Sequence, residues 1–307
     1  MTDTPAKAGP NIPGVNLRLQ RRLGALLRLL GAVSPALAAR LAVRVFTTPR
    51  ARTVSAQDSA FLAGAISRRL ATASGAVQVY EWPGAEAPGA GAAVLVAHGW
   101  ISHAARMREV IEALHARGLR VIAFDAPAHG RSTGRRLDLR GYRDTLEAVS
   151  NACAPIAAVL AHSFGAIATI SWLADSPAAA GLRAAVLVGL PRDAGFLLES
   201  FTRAMGLQPA AIERMRILFR ECYGYDPRDY CAAALARSIQ LPVLLVHGGD
   251  DEFVPPAHSG GVAGALADAR LLVLSGLNHS GPLRDAVTVQ LMTDFIADRV
   301  SERARPQ

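Results

Sequence analysis

Apolar residues recur along this chain with two different periods, and the change between them falls near Val77. From Asn16 onward, Leu19, Leu23, Leu26, Leu27 and Leu30 repeat at helical spacing, with Arg18, Arg21, Arg22 and Arg28 mostly elsewhere on the wheel. Ser34-Pro35 reads as an N-cap followed by proline at the first helical position, and predicts a second helix to about Phe46. Ser55 with Asp58 three residues on is a capping-box start for a third helix. Beyond Val77 short apolar runs alternate with helical stretches. The predicted strands are Val77–Trp82, Ala93–His98, Arg120–Asp125, Ile156–His162, Ala184–Gly189, Val243–His247 and Leu271–Leu274. Predicted helices between them include Ala104–Arg117 and Phe164–Ala174. Several of the strands are continuous apolar runs, as expected when both faces of a parallel sheet are covered. The expected fold class is therefore α/β, a doubly wound, mostly parallel sheet. Residues 1–14, with three prolines and two glycines, read as a flexible start.

One interval breaks the alternation. About fifty residues between Gly189 and Val243 carry no predicted strand. They read as short helices bearing Phe196, Phe201, Met205, Phe219, Tyr223, Tyr225 and Tyr230. A long insertion in a compact domain is usually functional, so residues about 191–240 are expected to form a helical lid. Phe201, Phe219 and Tyr223 are its candidates for facing a ligand. The expected division is a basic helical N-terminal arm over 1–76 and an α/β domain over 77–307.

Composition narrows the class without naming a function. Hydrophobic residues make up 51% of the 307 and charged ones 19%, which excludes a disordered chain. No uncharged apolar run reaches the length of a membrane-spanning helix. Residues 1–52 hold Lys7 and eight arginines against Asp3, a net +8, while the remaining 24 basic and 24 acidic side chains cancel. The basic character belongs to the arm, so the high isoelectric point does not point to nucleic acid. Cys153, Cys222 and Cys231 lack metal-ligand spacing and are expected as free buried thiols, which favours a cytoplasmic location. Arg21-Arg22 precedes an apolar stretch, but Arg28 interrupts it, and no cleaved signal peptide is expected. Lys7 is the sole lysine, so there is no P-loop, and Gly89-Ala90-Gly91 precedes a strand instead of following one. No cofactor and no metal are implied.

Four segments carry chemistry. The strand ending at Val159-Leu160 runs into Ala161-His162-Ser163-Phe164-Gly165 and an apolar helix. A sharp strand-to-helix turn of this kind lifts a serine Oγ into the open, with small residues two before and two after it letting strand and helix approach. A second strand ends in His98-Gly99-Trp100. A third ends in His247-Gly248-Gly249-Asp250-Asp251-Glu252-Phe253-Val254-Pro255. The last runs into Ser275-Gly276-Leu277-Asn278-His279, then a final helix.

Together these segments resemble the α/β-hydrolase fold family in its serine hydrolase and esterase-like members. The resemblance covers roughly residues 77–300, with Ala161 at the first glycine of the G-x-S-x-G elbow. It implies a triad in the chain order Ser163, Asp251, His279. The family's G-x-x-D-x-x-V-P spacing selects Asp251 over Asp250, and the loop after the last strand is where its base stands, which selects His279 over His258. It also implies an oxyanion hole from the backbone N–H groups of Trp100 and Phe164, with the His98 ring in a structural role. Asp125-Ala126-Pro127-Ala128-His129-Gly130-Arg131-Ser132 resembles the family's D-x-x-G-x-G-x-S turn, with Ala128 at the first glycine, and reads as scaffolding. Residues 15–76 depart from the family by lacking its N-terminal β-hairpin, so the sheet is expected to miss one or two edge strands.

The implied reaction is hydrolysis of a carboxylic ester, or related acyl bond, of a small-molecule substrate through an acyl-enzyme. The alternatives are an acyltransferase or thioesterase with the same triad, and a non-catalytic binding protein on the same scaffold. For the arm, packing of its leucine stripe against the main domain is preferred to contact with an anionic membrane surface.

Overall fold

The computed structural model describes residues 16–50, 53–85 and 91–301. The flexible start expected at 1–14 lies outside the described residues, as do Lys7, Gly89 and Ala90. The strands are β1 (Ile66–Thr72), β2 (Gly75–Trp82), β3 (Ala93–Ala97), β4 (Arg120–Asp125), β5 (Ile156–His162), β6 (Ala184–Val188), β7 (Val243–Gly248) and β8 (Ala269–Leu274). The helices are α1 (Leu17–Val33), α2 (Pro35–Phe46), α3 (Ala56–Ala63), α4 (Arg108–Ala116), α5 (Leu139–Cys153), α6 (Phe164–Asp175), α7 (Ala194–Ala204), α8 (Pro209–Tyr223), α9 (Ala232–Ala236), α10 (Ala257–Ala263) and α11 (Ala286–Ser301). They form two compact units, one of residues 1–47 and 193–229, the other of residues 48–192 and 230–307.

The larger unit is built on one sheet of eight strands in the order β1-β2-β4-β3-β5-β6-β7-β8. All neighbours from β4 to β8 are parallel, whereas β2 is antiparallel to both β1 and β4, so β2 alone runs against the rest. Strands β3 to β7 are buried along their whole length, which is why they read as unbroken apolar runs. Val94, Val121 and Leu160 pack with Ile111 of α4 and Ile296 of α11 on one face. On the other, Phe124 meets Tyr142 of α5, which meets Phe164 of α6. The order reverses between β3 and β5. In an open α/β sheet the C-terminal ends of the strands at such a reversal flank a crevice.

The edge strand β1 corrects two expectations. The chain does carry an N-terminal β-hairpin, with Ile66 to Thr72 paired along β2 through a tight turn at Ala73-Ser74. The main domain therefore begins well before residue 77. The sequence gives no period-2 signal there because most of β1 is exposed on both faces. Arg68 and Arg69 on this edge are of the kind that discourages pairing with another chain.

The smaller unit combines the two N-terminal helices with part of the interval expected as a lid. Its inserted portion is Asp193–Asp229, narrower than 191–240, because α9 belongs to the larger unit. The caps form as the sequence indicates: Asn16 Oδ1 accepts from Arg18 N, and Ser34 accepts from Leu37 N with Pro35 at the first position. The face of α1 that carries Gln20, Gly24 and Leu27 is buried. Gln20 Nε2 donates to Ala204 O at 3.2 Å and an Arg28 guanidinium nitrogen donates to Met205 O at 3.0 Å. These are carbonyls at the end of α7, which no helical N–H can satisfy. Gly24 allows the approach, since a Cβ there would stand 2.7 Å from Met205 O.

The arm is thus not a separate body over 1–76. Phe46 on α2 meets Phe201 at 5.2 Å and Phe219 at 5.9 Å between ring centroids. Tyr223 packs tilted against Phe219, 5.1 Å between ring centroids, and donates its hydroxyl to Thr47 Oγ1 at 3.2 Å. Phe201 and Phe219 are 7% and 1% exposed, so they are the core of this helical unit instead of ligand-facing side chains. Beside them Asp226 is buried and paired with Arg216, with Arg220 at 2.8 Å. Cys153 is a free buried thiol as expected, whereas Cys222 is free but exposed.

Phe219→Ala should cost about 3–5 kcal/mol of stability, the range for emptying a well-packed aromatic site. Denaturant unfolding followed by circular dichroism measures it. A loss under about 1 kcal/mol would return Phe219 to a ligand-facing role.

Candidate active site

The turn after β5 is a strained point of the described backbone. Ser163 has φ 54° and ψ −116°, a region that side chains other than glycine rarely occupy. Such a residue costs about 1–3 kcal/mol and persists only where its surroundings fix it. Here Ser163 N donates to Val188 O at 2.8 Å, and Ser163 O accepts from Ala166 N at 2.9 Å. Two glycines leave room for the turn. A Cβ on Gly165 would stand 2.5 Å from His98 O, and one on Gly99 would stand 3.2 Å from Ser163 Cβ. Ala161, at the position of the family's first glycine, sits fully buried inside regular β5 and tolerates its methyl.

Three loops meet at this serine. The loop after β8 brings His279 Nε2 to 2.8 Å from Ser163 Oγ. The loop after β7 brings Asp251 Oδ2 to 2.6 Å from His279 Nδ1. A carboxylate can only accept, so Nδ1 carries the hydrogen and Nε2 is free to accept from the serine hydroxyl. Gly189, at φ 60°, makes space for this ring, since a Cβ there would lie 3.0 Å from His279 Cε1. Asp250 is exposed and its backbone N–H goes to Leu277 O, so of the two aspartates Asp251 is the one brought to His279.

The Asp251 side chain is fully buried. Burial alone would raise its pKa, but hydrogen bonds from His247 and His279, and that of the Val254 N–H, outweigh it and hold the carboxyl well below the usual range. Its Oδ1 accepts from Phe253 N and Val254 N, both at 2.9 Å.

Two histidines beside Ser163, Asp251 and His279 were not singled out by the sequence. His247, the last side chain of β7 before Gly248, points Nε2 at Val254 O (2.8 Å) and at Asp251 Oδ2 (3.1 Å), while its Nδ1 meets Ser259 Oγ at 2.7 Å. His162, inside the elbow, donates Nε2–H to the His279 carbonyl at 3.1 Å, with the two rings 4.7 Å apart. Burial, then the charge of His279, pushes the His162 pKa down to about 3, so it is neutral and ties down the His279 loop. Each stands one residue from a motif position, which is the signal that could have found them.

The loop after β3 is pinned by histidines in the structural role expected for His98. Its Nδ1–H donates to Gly99 O at 2.7 Å and its Nε2 accepts from Ala126 N at 2.9 Å. His129 likewise donates Nδ1–H to Pro127 O at 2.9 Å and accepts from Ile101 N at 3.2 Å. Burial pushes their pKa values down to about 4 and about 3. Asp125 accepts from Ala104 N, Tyr80 Oη and Arg131 N, and Ala128 takes φ 62°, the conformation for which glycine is suited. Trp100 sits at the end of this loop with its ring 5.0 Å from that of Phe164. Phe164 is the first residue of α6, where helix geometry leaves N–H groups without intrahelical partners. His258 lies in α10, part-exposed, with Nδ1 3.3 Å from Arg192 N and outside the contacts joining Asp251, His279 and Ser163. Among the described residues no group of three or more His, Cys, Asp or Glu could hold a metal ion. No described helix is long and apolar enough to cross a membrane.

The family profile described as "Serine aminopeptidase, S33" matches residues 89–194. A monoacylglycerol lipase of Mycolicibacterium smegmatis is 27% identical over 225 residues, covering 61% of this chain and 80% of the lipase. An uncharacterised protein of Mycobacterium tuberculosis is 26% identical over 223 residues, covering 70% of this chain and 72% of its own. Among solved structures, alpha/beta hydrolase domain-containing protein 10 from mouse superimposes with a TM-score of 0.61 at 17% identity, covering 78% of this chain and 99% of that one. Est1E from Butyrivibrio proteoclasticus, with ferulic acid bound, gives 0.59 at 16% identity, covering 76% and 100%. The chain has the α/β-hydrolase fold. Hydrolase activity is the coarse reading these matches support.

The buried histidines carry a pH dependence with a definite sign. His98, His129 and His162 titrate at about 3–4 when folded, below the ordinary 6.5. Between those values the unfolded chain binds protons that the folded chain does not, so stability rises with pH. Their contribution is complete above about 6.5 and is lost as pH falls toward about 4. Melting temperature should therefore drop steadily from pH 7 to pH 4, and less steeply in His129→Gln. A flat profile, or an unchanged slope in the variant, would show that these rings are not held neutral.

Proposed function

We propose that the chain is a serine hydrolase that cleaves a carboxylic ester through an acyl-enzyme. The observation that carries this reading is the continuous relay from Asp251 through His279 to Ser163, at 2.6 and 2.8 Å, on a serine held in a strained turn. In the proposed reaction His279 Nε2 takes the Ser163 proton as Oγ attacks the carbonyl carbon. Asp251 fixes the tautomer and stabilises the imidazolium. The backbone N–H groups of Trp100 and Phe164 are proposed to receive the oxyanion, each worth about 10²–10³ in rate. The imidazolium then protonates the leaving alcohol, and water, deprotonated by His279, releases the acid and the serine.

The ester preference is supported by the names of relatives: a monoacylglycerol lipase and a structure with ferulic acid bound. A thioesterase reading shares the same triad and has a structural neighbour, the thioesterase domain from the curacin biosynthetic pathway, at a TM-score of 0.56. A non-catalytic scaffold gives no reason to retain the conformational cost at Ser163. The cytoplasmic location and the absence of a cofactor remain part of the proposal.

Ser163→Ala should abolish hydrolysis of p-nitrophenyl acetate and labelling by a fluorophosphonate while leaving the melting temperature near wild type. Loss of a triad member typically costs about four orders of magnitude or more. Asp251→Asn should lose roughly 10³–10⁴-fold and Asp250→Asn little. Fluorophosphonate labelling of Ser163→Ala, or a larger loss in Asp250→Asn, defeats the assignment.

His247 should act as a positioning residue through Asp251. Replacing it by Phe removes the Nε2–H beside Oδ2 and should lower kcat about 10–100-fold, the scale of a displaced catalytic group, with KM little changed. His247→Gln, which keeps a donor, should recover part of kcat. Equal kcat for the two variants would reduce His247 to a packing role.

A further inference from the structure

α1 has two faces of different character. One, through Gln20, Gly24 and Leu27, is buried in the helical unit. The other follows Arg18, Arg22, Leu26, Leu29 and Val33, at spacings of four, four, three and four that keep them on one stripe, and all five are exposed. The exposure is large for the apolar members: Leu26 is 46%, Leu29 71% and Val33 87% exposed, and Leu37, just into α2, is 55% exposed. Of the nine exposed large hydrophobics among the described residues, five lie between Leu17 and Leu37, so the exposure is concentrated there and not scattered. The charge around this patch has one sign. From Leu17 to Phe46 the chain carries six arginines and no acidic residue, while the inserted portion 193–229 carries five arginines against six acids.

Apolar side chains in a row with arginines beside them match the two layers of a membrane surface. The leucines and valine suit the acyl boundary, and guanidinium groups reach the phosphates along their own aliphatic stems. A neutral protein partner explains the apolar row but not the uniform charge. A nucleic acid explains the charge but not Leu29 and Val33. We propose that this face of α1 and the start of α2 is a docking surface for an anionic lipid bilayer. Docking of the arm within the protein and membrane contact are therefore not alternatives here. The two faces of one helix serve them separately. This inference does not depend on the triad, and its test does not read activity.

The test is co-sedimentation of the full chain with vesicles of phosphatidylcholine alone and of phosphatidylcholine with 30% phosphatidylglycerol, at low and at physiological salt (about 0.15 M ionic strength). Wild type should pellet with the anionic vesicles and much less with the neutral ones. Leu29→Ser with Val33→Ser should weaken binding about tenfold or more, since two exposed apolar side chains no longer insert. Arg18→Gln with Arg22→Gln should weaken it about thirtyfold, equivalent to ~1 kcal/mol per arginine near the surface. Both double variants should keep the wild-type melting temperature, because the altered side chains are exposed. Wild type that fails to pellet with anionic vesicles overturns the proposal. So does binding lost on arginine replacement but untouched by Leu29→Ser/Val33→Ser, which would be diffuse charge attraction. A wild-type dimer in light scattering that becomes a monomer in the Leu29→Ser/Val33→Ser variant also overturns it, by assigning the face to a second copy.

Discussion

The described geometry of the crevice depends on one backbone constraint, the positive φ of Ser163. An L side chain in that region is unfavourable, yet it is what points Oγ out of the turn between β5 and α6. The surroundings remove the alternatives. Val188 O holds the serine amide, Gly165 lets α6 close on the carbonyls of Ala97 and His98, and Gly99 lets the loop after β3 pass close to the Ser163 side chain. Each of these partners lies on a strand parallel to β5, just past the end of one, or on the helix after β5, so the sheet itself fixes the turn. The same reversal of strand order that opens a crevice between β3 and β5 brings the loop of Trp100 to it.

From that serine outward, histidine is used in two ways. His279 sits between an oxygen acceptor and a hydroxyl, with its tautomer set by Asp251. His98, His129 and His162 are buried, neutral and each tied to backbone groups. A neutral imidazole offers one donor and one acceptor at opposite ends of a rigid ring, which suits it to spanning two loops. That is how the loops after β3 and β4 are joined to each other, and the loop after β8 to the end of β5, without charge. Asp251 is the one fully buried carboxylate in this set of contacts with a clear downward shift, and it needs His247 as well as His279 and two amides to remain ionised there. An ion left without such partners would be far more costly than the pair is worth.

What the sequence made legible follows from where its residues are buried. The strands from β3 to β7 could be read because burial on both faces demands unbroken apolar runs. β1 could not, because an edge strand exposed on both faces has no hydrophobic period to show. Ser163, Asp251 and His279 were legible because each stands on a short segment whose spacing is constrained by a strand end. His162 and His247 were not, since a histidine next to a motif carries no sign of its hydrogen-bond partners. Phe201 and Phe219 were misread as ligand-facing because aromatic content alone does not distinguish a pocket from a core. Their partner, Phe46, lies more than 150 residues earlier in the chain, and no periodicity reports a contact of that range.

That long-range contact also explains why a basic helix precedes the domain. α7 ends at carbonyls that need donors, and Gln20 and Arg28 of α1 supply them where Gly24 permits approach. Only a narrow face of α1 is used in this way. A helix kept solely to fill that role would be expected to carry polar residues on its remaining surface, as lone exposed leucines are tolerable but a row of them is not. Leu26, Leu29 and Val33 break that expectation in a segment without a single acid. The helix is therefore over-specified for packing, and the excess has a consistent chemistry: apolar at its centre, cationic beside it. A surface of that kind is costly in water unless something apolar and negatively charged covers it, and the folded helical unit holds it in a fixed arrangement instead of leaving it to a disordered arm.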